Sequence, residues 1–414
     1  MTKLLIIADD LTGANDVGVQ FSKQGIPALV HTDMSSSLDS FGDYQVIVVN
    51  TESRHLESFT AATRVSDVVA RGVRAGATHF YKKTDSTLRG NIGSELELFM
   101  RATGCNRLPF IPAFPKLKRT TRNGFHYVLD QQLHASAFTC DPLEPVTESS
   151  IPAILRKQTH IKTRVVTNAE QKSDDTNQFA DEAIYIFDAV TNSDLSTAAS
   201  AIERNDLARV TAGSSGFAEC LPSLISFHYQ TFPNREPDGT MLVINGSVNE
   251  VSLGQVRHAG QHGFSVITLT PEVLLSEGQS LTDHVEKLVE KVVELSQRDI
   301  DVIITSSNES TTQRLVRGAD NACQLVARNL GELTRRILAE ATFKFLTVFG
   351  GDTLSGVAKH CGWSSLLPRQ EILPGVVVSG IPADLQGPLL ISKAGGFGEV
   401  DVLSQIRSAL RSSR

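Results

Sequence analysis

Cysteine is scarce in this 414-residue sequence, and its spacing excludes two kinds of site. The five cysteines are scattered, odd in number and form no Cys-x-x-Cys pair. We therefore expect neither a zinc centre nor a disulfide framework. Buried free thiols in a reducing compartment are the ordinary state of such residues.

Long apolar runs and an excess of positive charge are also missing. No segment approaches the ~20 apolar residues of a membrane span, and the first apolar run is too short for a signal peptide. The formal net charge of −7 disfavours nucleic acid or an anionic membrane as the main partner. We therefore expect a cytoplasmic protein that binds small molecules, with no nucleic-acid and no membrane partner.

Alternating strand and helix patterns predict the fold class. Short apolar runs recur between helix-like stretches such as Ser58–Arg74, which is the rhythm of βαβ units and of parallel sheets. The segment from Tyr229 to Gly239 contains two prolines, and we interpret it as a linker. The sequence thus predicts an α/β protein with two domains, residues 1–230 and 240–414, each a mostly parallel sheet flanked by helices.

The predicted strands are apolar runs of four to six residues. In the first half they are Leu4–Ala8, Ala28–His31, Gln45–Asn50, His79–Lys82, Leu108–Ile111, Ala183–Phe187 and Ala208–Thr211; in the second half they are Met241–Ile244, Ser265–Thr268, Asp301–Thr305, Phe345–Phe349, Val376–Ser379 and Leu389–Ser392. Between residues 114 and 158 the alternation fails and prolines punctuate the chain. We expect a long covering loop or a lid there, near the ligand site.

Two adjacent carboxylates follow the first strand. Asp9 and Asp10 stand where the run Leu4–Ala8 ends, just before a helix-like stretch. One Asp at such a place usually caps the helix, whereas two neighbouring carboxylates repel each other and need a cation, a donor-rich ligand or solvent. Their Asp-Asp-x-Thr order is similar to the phosphatase pattern Asp-x-Asp-x-Thr. The second Asp comes one position too early, however, which turns its side chain to the opposite face.

A second turn is dense in charge. Residues 82–91, Lys-Lys-Thr-Asp-Ser-Thr-Leu-Arg-Gly-Asn, lie between a predicted strand and a helix that starts at Ile92. Ligands of open α/β sheets bind at the carboxyl ends of strands. The segment therefore suits a small, anionic, hydroxyl-rich ligand, although a solvated loop with a helix cap is the simpler alternative.

Three glycine-containing turns follow strands of the second half. They are residues 245–249 (Asn-Gly-Ser-Val-Asn), 350–356 (Gly-Gly-Asp-Thr-Leu-Ser-Gly) and 393–398 (Lys-Ala-Gly-Gly-Phe-Gly). Glycine lets the backbone approach phosphate oxygens, and amide groups at a helix start attract anions. The turns predict a nucleotide site, but they match neither the P-loop pattern nor the Rossmann pattern Gly-x-Gly-x-x-Gly.

Taken together, these motifs resemble the four-carbon acid sugar kinase family along nearly the whole chain. The matching segments start at residues 8 (Ala-Asp-Asp-Leu-Thr-Gly), 82 (Lys-Lys-Thr-Asp-Ser-Thr-Leu-Arg-Gly-Asn), 212 (Ala-Gly-Ser), 245 (Asn-Gly-Ser), 350 (Gly-Gly-Asp-Thr) and 392 (Ser-Lys-Ala-Gly-Gly-Phe-Gly). The resemblance implies an amino-terminal acid-sugar-binding domain and a carboxy-terminal nucleotide-binding domain. It also implies transfer of the γ-phosphate of ATP to the terminal 4-hydroxyl of a tetronate.

Residue chemistry assigns expected roles within that scheme. Arg54, Lys82 and Lys83 would hold the substrate carboxylate, and Asp10 or Asp85 would accept the proton of the attacking hydroxyl, with Asp85 favoured. The expected substrate-binding set is Asp9, Asp10, Arg54, Lys82, Lys83, Thr84, Asp85 and Ser86. The expected ATP-binding set is Ser247, Gly350, Gly351, Asp352, Thr353, Gly395 and Gly396. Mg²⁺ would accompany ATP, with Asp352 as a candidate ligand.

The resemblance leaves the substrate open among several acids. Family members act on D-threonate, L-threonate, D-erythronate or 3-oxo-tetronate, and the stretch from Asn15 to Gln20 favours the D-threonate branch. Members often carry Ser where this chain has Ala394, so a side-chain contact to phosphate there is in doubt. A non-catalytic sensor of sugar acid or nucleotide is the alternative from another class. The oligomeric state stays open, with a homodimer among the alternatives.

Overall fold

The computed structural model describes residues 3–38, 41–140, 144–230, 239–306, 322–382 and 387–412. The chain divides into two compact units, residues 1–230 (unit 1) and 231–414 (unit 2). The linker predicted at 229–239 falls mostly on residues 231–238, which lie outside the described part of the chain. Among the helices that the structure describes, none is both long and apolar enough to span a membrane.

Unit 1 contains a parallel sheet and a small antiparallel sheet. Its strands are β1 (Leu4–Ala8), β2 (Ala28–His31), β3 (Val46–Asn50), β4 (His79–Lys83), β5 (Arg107–Ile111), β6 (Arg119–Arg122), β7 (Phe125–Val128), β8 (Gln131–Gln132), β9 (Thr163–Val166), β10 (Ala183–Phe187) and β11 (Val210–Gly213). Its α-helices are α1 (Leu11–Ser22), α2 (Ser58–Arg74), α3 (Ile92–Thr103), α4 (Ile151–Arg156), α5 (Asn168–Gln171), α6 (Asn192–Arg204), α7 (Ser215–Ala218) and α8 (Leu221–Leu224).

The large sheet of unit 1 has the strand order β2-β3-β1-β4-β11-β5-β10-β9, and each neighbouring pair is parallel. Strand β1 is apolar along its length, strand β3 is apolar up to Asn50, and both are completely buried, as expected for strands that are covered on both faces. On one face of the sheet, Leu5, Ile7 and Val49 pack in one core with Val65 of α2 and Phe99 of α3.

Unit 2 is also mostly parallel. Its strands are β12 (Met241–Asn245), β13 (Ser265–Thr268), β14 (Val302–Thr305), β15 (Phe345–Phe349), β16 (Ser365–Leu373), β17 (Val376–Gly380) and β18 (Leu389–Lys393). Its α-helices are α9 (Glu250–Gln261), α10 (Pro271–Leu274), α11 (Gly278–Gln297), α12 (Ala322–Glu340), α13 (Gly351–Cys361) and α14 (Val402–Ser412). The order is β13-β14-β12-β15-β18-β17-β16, parallel as far as β18 and antiparallel beyond it.

These two sheets confirm the predicted fold class, but the expected covering loop at 114–158 is wrong. The segment instead forms the antiparallel sheet β6-β7-β8 and helix α4, together with short 3₁₀ helices. Strand β6 reads Arg-Thr-Thr-Arg and therefore lacks the apolar run that marks a buried strand. Residues 141–143 of the segment, including Pro142, lie outside the described residues.

Candidate functional site

The candidate acid-sugar residues gather where the strand order of unit 1 reverses. Strand β1 lies between β3 and β4, with Ala8 in register with Asn50 on one side and Lys83 on the other. The chain leaves β1 towards β2 on one side and leaves β4 towards β5 on the opposite side. Such a reversal opens a crevice at the carboxyl ends of the strands, which is where open α/β sheets bind ligands.

Arg54, just beyond β3, joins three carboxylates at this edge. Its Nε donates to Asp9 Oδ2 at 2.7 Å, and its Nη2 lies 2.7 Å from Asp10 Oδ1 and 3.8 Å from Asp85 Oδ1. Burial alone would raise the pKa of Asp9, but the positive charges, above all that of Arg54, lower it to about 2. Burial would lower the pKa of Arg54, but the negative charges of the three carboxylates raise it well above its ordinary value.

Asp10 has two structural duties besides its contact with Arg54. As the N-cap of α1, its Oδ1 accepts a hydrogen bond from the Gly13 amide at 3.0 Å, and its Oδ2 accepts one from the Thr12 hydroxyl at 2.6 Å. Asp10 therefore caps helix α1 and at the same time pairs with a cation, the guanidinium of Arg54.

Asp85 is held mainly by Arg89, a residue of the same charged turn for which no role was expected. Arg89 Nε and Nη2 donate to Asp85 Oδ2 and Oδ1 at 2.8 and 3.1 Å, a two-pronged arrangement that favours the ionised carboxylate. The Thr87 hydroxyl donates to Oδ2 as well. Burial opposes these effects, yet the charges of Arg89 and Arg54 hold the pKa of Asp85 well below its ordinary value.

Lys82 and Lys83 have opposite surroundings, because successive side chains of a strand point to opposite faces. Lys82 is fully buried, and its ammonium lies 2.9 Å from Glu95 Oε2 of α3. Glu95 also accepts a hydrogen bond from Ser53. Lys82 therefore joins β4 to α3 beneath the edge. Glu95 was missed because an acidic residue in the first helical turn is ordinary.

Lys83 points to the face that carries Asp10 and helix α1. A Cβ atom on Gly13 would overlap both the Lys83 ammonium and the Asp10 carboxylate, so the lysine passes directly over this glycine. Its charge contributes to the lowered pKa values of Asp9 and Asp85. Lys83 is buried, but its ammonium has no ion pair or hydrogen bond among the described residues.

The small antiparallel sheet holds the turn that follows β4. Arg119 of β6 donates to the Ser86 hydroxyl, and His126 Nε2 of β7 lies 2.9 Å from the Ser86 carbonyl oxygen. Burial lowers the pKa of His126 to about 4, so the neutral ring donates through Nε2 to that carbonyl. Both partners were missed, since only the tertiary fold brings residues 119 and 126 to residue 86. The buried Thr84 hydroxyl has no partner in the described structure.

The three glycine turns of unit 2 lie side by side. Strands β12, β15 and β18 are parallel neighbours with Asn245, Phe349 and Lys393 in register, so their exits meet at one edge. A Cβ atom on Gly395 would overlap Ser247 Oγ, and one on Gly246 would overlap Thr353 Oγ1. The structure therefore brings Ser247, Thr353 and Gly395 together.

The middle turn leads directly into helix α13. Gly350 has φ of 100°, a conformation that favours glycine, and it caps the helix without a side-chain hydrogen bond. Amides in the first turn of a helix have no carbonyl partner within the helix, and those of Gly351 and Thr353 stand at such a place, which suits an anion. Asp352 itself is exposed. Within the described ranges no group of three or more His, Cys, Asp or Glu side chains could hold a metal ion.

Comparison with known families identifies both units. Residues 4–221 match the family described as "Sugar-binding N-terminal domain", and residues 242–403 match the one described as "Nucleotide-binding C-terminal domain". Two solved structures share the fold. One is from Salmonella typhimurium LT2 and is described as a putative tRNA synthase (TM-score 0.80, 21% identity, 99% of both chains). The other is a DUF1537 protein of Haemophilus influenzae (TM-score 0.72, 23% identity, 98% of this chain and 99% of that chain).

Similar characterised proteins are sugar-acid kinases. A D-threonate kinase of Salmonella typhimurium is 30% identical over 97% of this chain and 96% of its own, and one of Bordetella bronchiseptica is 30% identical over 99% and 98%. A 3-oxo-tetronate kinase of Cupriavidus necator is 26% identical over 96% and 95%. Because both domain families match and these relatives span nearly the whole chain, the protein belongs to the four-carbon acid sugar kinase family.

Proposed function

We propose that this protein is an ATP-dependent kinase that phosphorylates the 4-hydroxyl of D-threonate. In this proposal residues 1–230 bind the acid sugar and residues 240–414 bind ATP. Support for the substrate comes from the two D-threonate kinases at 30% identity. Asp16, in the stretch that resembles the D-threonate branch, lies near enough to Arg119 to influence the pKa of that guanidinium. D-erythronate and 3-oxo-tetronate are the alternatives, since kinases for both are also similar to this chain.

The observation that carries the proposal is the ammonium of Lys83. Every other positive side chain at the edge has a partner there: Arg54 and Arg89 have carboxylates, Lys82 has Glu95, and Arg119 has Ser86. Lys83 is buried without such a partner among the described residues, and a buried charge is costly unless it is paired. A substrate carboxylate would give this ammonium the direct ion-pair partner that the neighbouring carboxylates do not supply. Asp9 Oδ1 and the Thr84 hydroxyl are buried polar atoms that also lack a partner among the described residues.

We assign the catalytic roles to Asp85 and Asp10, which would accept hydrogen bonds from the attacking hydroxyl. Among the described residues, Asp85 Oδ1 accepts one hydrogen bond, from Arg89, and so keeps a lone pair. A general base works best with a pKa near the working pH, whereas the pKa of Asp85 lies well below its ordinary value. Since phosphoryl transfer through a loose transition state needs little base assistance, Asp85 would chiefly orient the hydroxyl.

The nucleotide phosphates would bind at the joined glycine turns of unit 2. The amides at the start of α13, the Ser247 hydroxyl and the turn at Gly395 and Gly396 are uncharged donors near one another, and such amides suit phosphate oxygens. The exposed carboxylate of Asp352 fits Mg²⁺, which usually takes one or two protein carboxylates and completes its shell with phosphate and water. Bound there, Mg²⁺ would neutralise phosphate charge. Use of ATP and the free thiols of Cys105, Cys220 and Cys361 support a cytoplasmic location.

The test is ADP release with a panel of four-carbon acids. We expect the highest kcat/KM with D-threonate, lower values with D-erythronate, L-threonate and 3-oxo-tetronate, and little ADP without an acid. The matched control is the 2,3-dihydroxybutanoate of D-threonate configuration, which lacks only the 4-hydroxyl and should bind without turnover. A faster reaction with another tetronate would contradict D-threonate as the substrate. Turnover of the 4-deoxy acid would contradict the 4-hydroxyl as the site of phosphorylation.

A further inference from the structure

Lys393 is a buried lysine at the nucleotide edge whose contacts differ from those of every lysine discussed above. It is the last residue of β18 and is completely buried. Its ammonium donates to the carbonyl oxygens of Ala394, Gly395 and Phe397 at 3.0, 3.2 and 3.0 Å. No carboxylate lies within ion-pair distance of it among the described residues, and burial lowers its pKa to about 7.

Helix α9 supplies two more donors to the same turn. The Ser252 hydroxyl donates to the Gly395 carbonyl at 2.7 Å. Gln255 Nε2 lies 2.9, 2.9 and 3.0 Å from the carbonyl oxygens of Phe397, Gly398 and Glu399. Three side chains of β18 and α9 therefore contact five carbonyl groups of the turn. These are the carbonyls of Ala394, Gly395, Phe397, Gly398 and Glu399.

This arrangement decides where the amide groups of the turn point. The described chain has no cis peptide bond, and in a planar trans peptide the N–H points opposite to the carbonyl of the same unit. Carbonyls that point inward at 394, 395 and 397 therefore turn the amides of Gly395, Gly396 and Gly398 outward. None of these three amides donates a hydrogen bond within the part of the chain that the structure describes.

The turn that carries the outward amides lies against the rest of the nucleotide edge. Gly395 approaches Ser247 so closely that a Cβ atom would overlap the hydroxyl, and Ser247 in turn lies beside Gly350. A row of outward amides forms a concave anion site. In its protonated form the buried Lys393 side chain behind the row adds positive potential, and among the described residues no carboxylate lies within ion-pair distance to cancel it.

We propose that Lys393, together with Ser252 and Gln255, is a positioning residue that orients the amides of Gly395, Gly396 and Gly398 towards the nucleotide phosphates. The inference rests on the proposed function of unit 2. It also accounts for Ala394 in place of the serine that is frequent in the family, because amides rather than a hydroxyl would contact phosphate at this turn.

Two variants test the proposal in the full-length protein, with ADP as the probe. Lys393→Met keeps the length of the side chain but removes its donors, and Gln255→Met does the same at the second donor. We expect the Kd for ADP, measured by calorimetry without acid sugar, to rise about 10- to 100-fold in Lys393→Met and less in Gln255→Met, since hydrogen bonds to a charged ligand are the strong ones. KM for ATP should rise in parallel, while KM for the acid sugar stays within about twofold.

The control and the contrary outcomes separate this inference from the proposed function. Lys359→Met changes an exposed lysine on α13 and should leave the Kd for ADP unaltered. If Lys393→Met fails to fold, Gln255→Met decides. An unchanged Kd for ADP in a folded Lys393→Met or, failing that, in Gln255→Met would overturn the positioning role. A wild-type protein that binds ADP yet phosphorylates no tetronate would instead overturn the proposed function and leave this inference standing.

Discussion

The strand exits of the two units differ in the groups that they present. In unit 1 the edge consists of charged side chains, and Arg54 alone contacts Asp9, Asp10 and Asp85. In unit 2 the edge consists of glycine backbone and hydroxyls, with Lys393 as a single buried charge below the surface. The first arrangement distributes charge among many ion pairs, and the second relies on peptide dipoles.

The difference suits the two ligands that we propose. A carboxylate with several hydroxyls demands donors and acceptors at defined places, which ionised side chains supply with direction. Phosphate oxygens are numerous and similar, so a row of amides can bind them without a fixed pairing. Each substitution should therefore affect one ligand only, and the predictions below use that separation, from the largest expected effect to the smallest.

Asp85→Asn should give the largest change. We expect kcat to fall about 10²-fold or more, because misplacing an attacking group by about 1 Å already costs that much, while KM for ATP stays unchanged. Because the pKa of Asp85 lies well below its ordinary value, the carboxylate is ionised throughout the range from pH 5 to 8. The shape of the kcat profile in that range should hence be the same in the variant and in the wild type.

That pH profile also distinguishes orientation from general-base catalysis. An acidic limb in the wild type that disappears in Asp85→Asn would make Asp85 a true base and contradict the orienting role. The matched control is Asp130→Asn, which changes an exposed aspartate paired with Arg122 at the surface.

Arg54→Ala should chiefly destabilise unit 1. It removes the partner of three carboxylates, two of them deeply buried, and breaking a buried ion pair from one side costs about 3–5 kcal/mol. Chemical denaturation should show this loss in the free energy of unfolding, and Arg54→Lys should lose less because it keeps the charge. Full stability in Arg54→Ala would mean that solvent already shields this network.

Lys83→Ala should weaken acid-sugar binding with little effect on stability. Losing one charged contact in a desolvated site costs roughly 2–5 kcal/mol, so KM for D-threonate should rise by at least tenfold while KM for ATP changes little. The control is Lys157→Ala at an exposed lysine. If only the ATP constant moved in Lys83→Ala, the assignment of the two ligands to the two units would be wrong.

Gly395→Ala should have the smallest effect of the series, and only on the nucleotide side. The new methyl group would overlap Ser247 Oγ, and relieving such an overlap typically costs about 1–3 kcal/mol. We expect KM for ATP to rise about tenfold with KM for D-threonate unaltered. Gly104→Ala, at a helix end where the space around the glycine is open, serves as the control for a general loss of stability. An unaltered KM for ATP would remove this turn from the nucleotide site.

The fold was predictable wherever a strand is built on a short run of mostly apolar residues. Strands β1, β2, β10, β13 and β15 have the predicted bounds, and other predicted strands are displaced by one or two residues. The strands β6–β9 and β16 were missed. They are short, polar or antiparallel, as in Thr-Arg-Val-Val of β9, so that neither a continuous apolar run nor a clear alternation marks them.

The candidate site was predictable in its positions but less so in its pairings. Asp9, Asp10, Arg54 and Asp85 were selected as strand-exit residues, and the structure joins them in one ion-pair network. Their roles in substrate binding and catalysis stay predictions, as do those of the glycine turns. Arg89 and Lys393 lie in turns that were selected, but they were assigned no role of their own. Glu95 and Arg119 were not selected, because nothing in their local sequence distinguishes them from ordinary charged residues.

The sequence by itself determined where the apolar strands lie, where they end to within one or two residues, and which polar residues stand at those ends. Strand positions follow from local apolar patterning, and turns follow from glycine and charge, so both can be predicted from neighbouring residues. Only the tertiary structure decided that Lys82 pairs with Glu95 while Lys83 has no such partner, and that Arg119 reaches Ser86. The physical reason is that pairing depends on which strand exits are adjacent, and sheet order arises from long-range packing that no local pattern encodes.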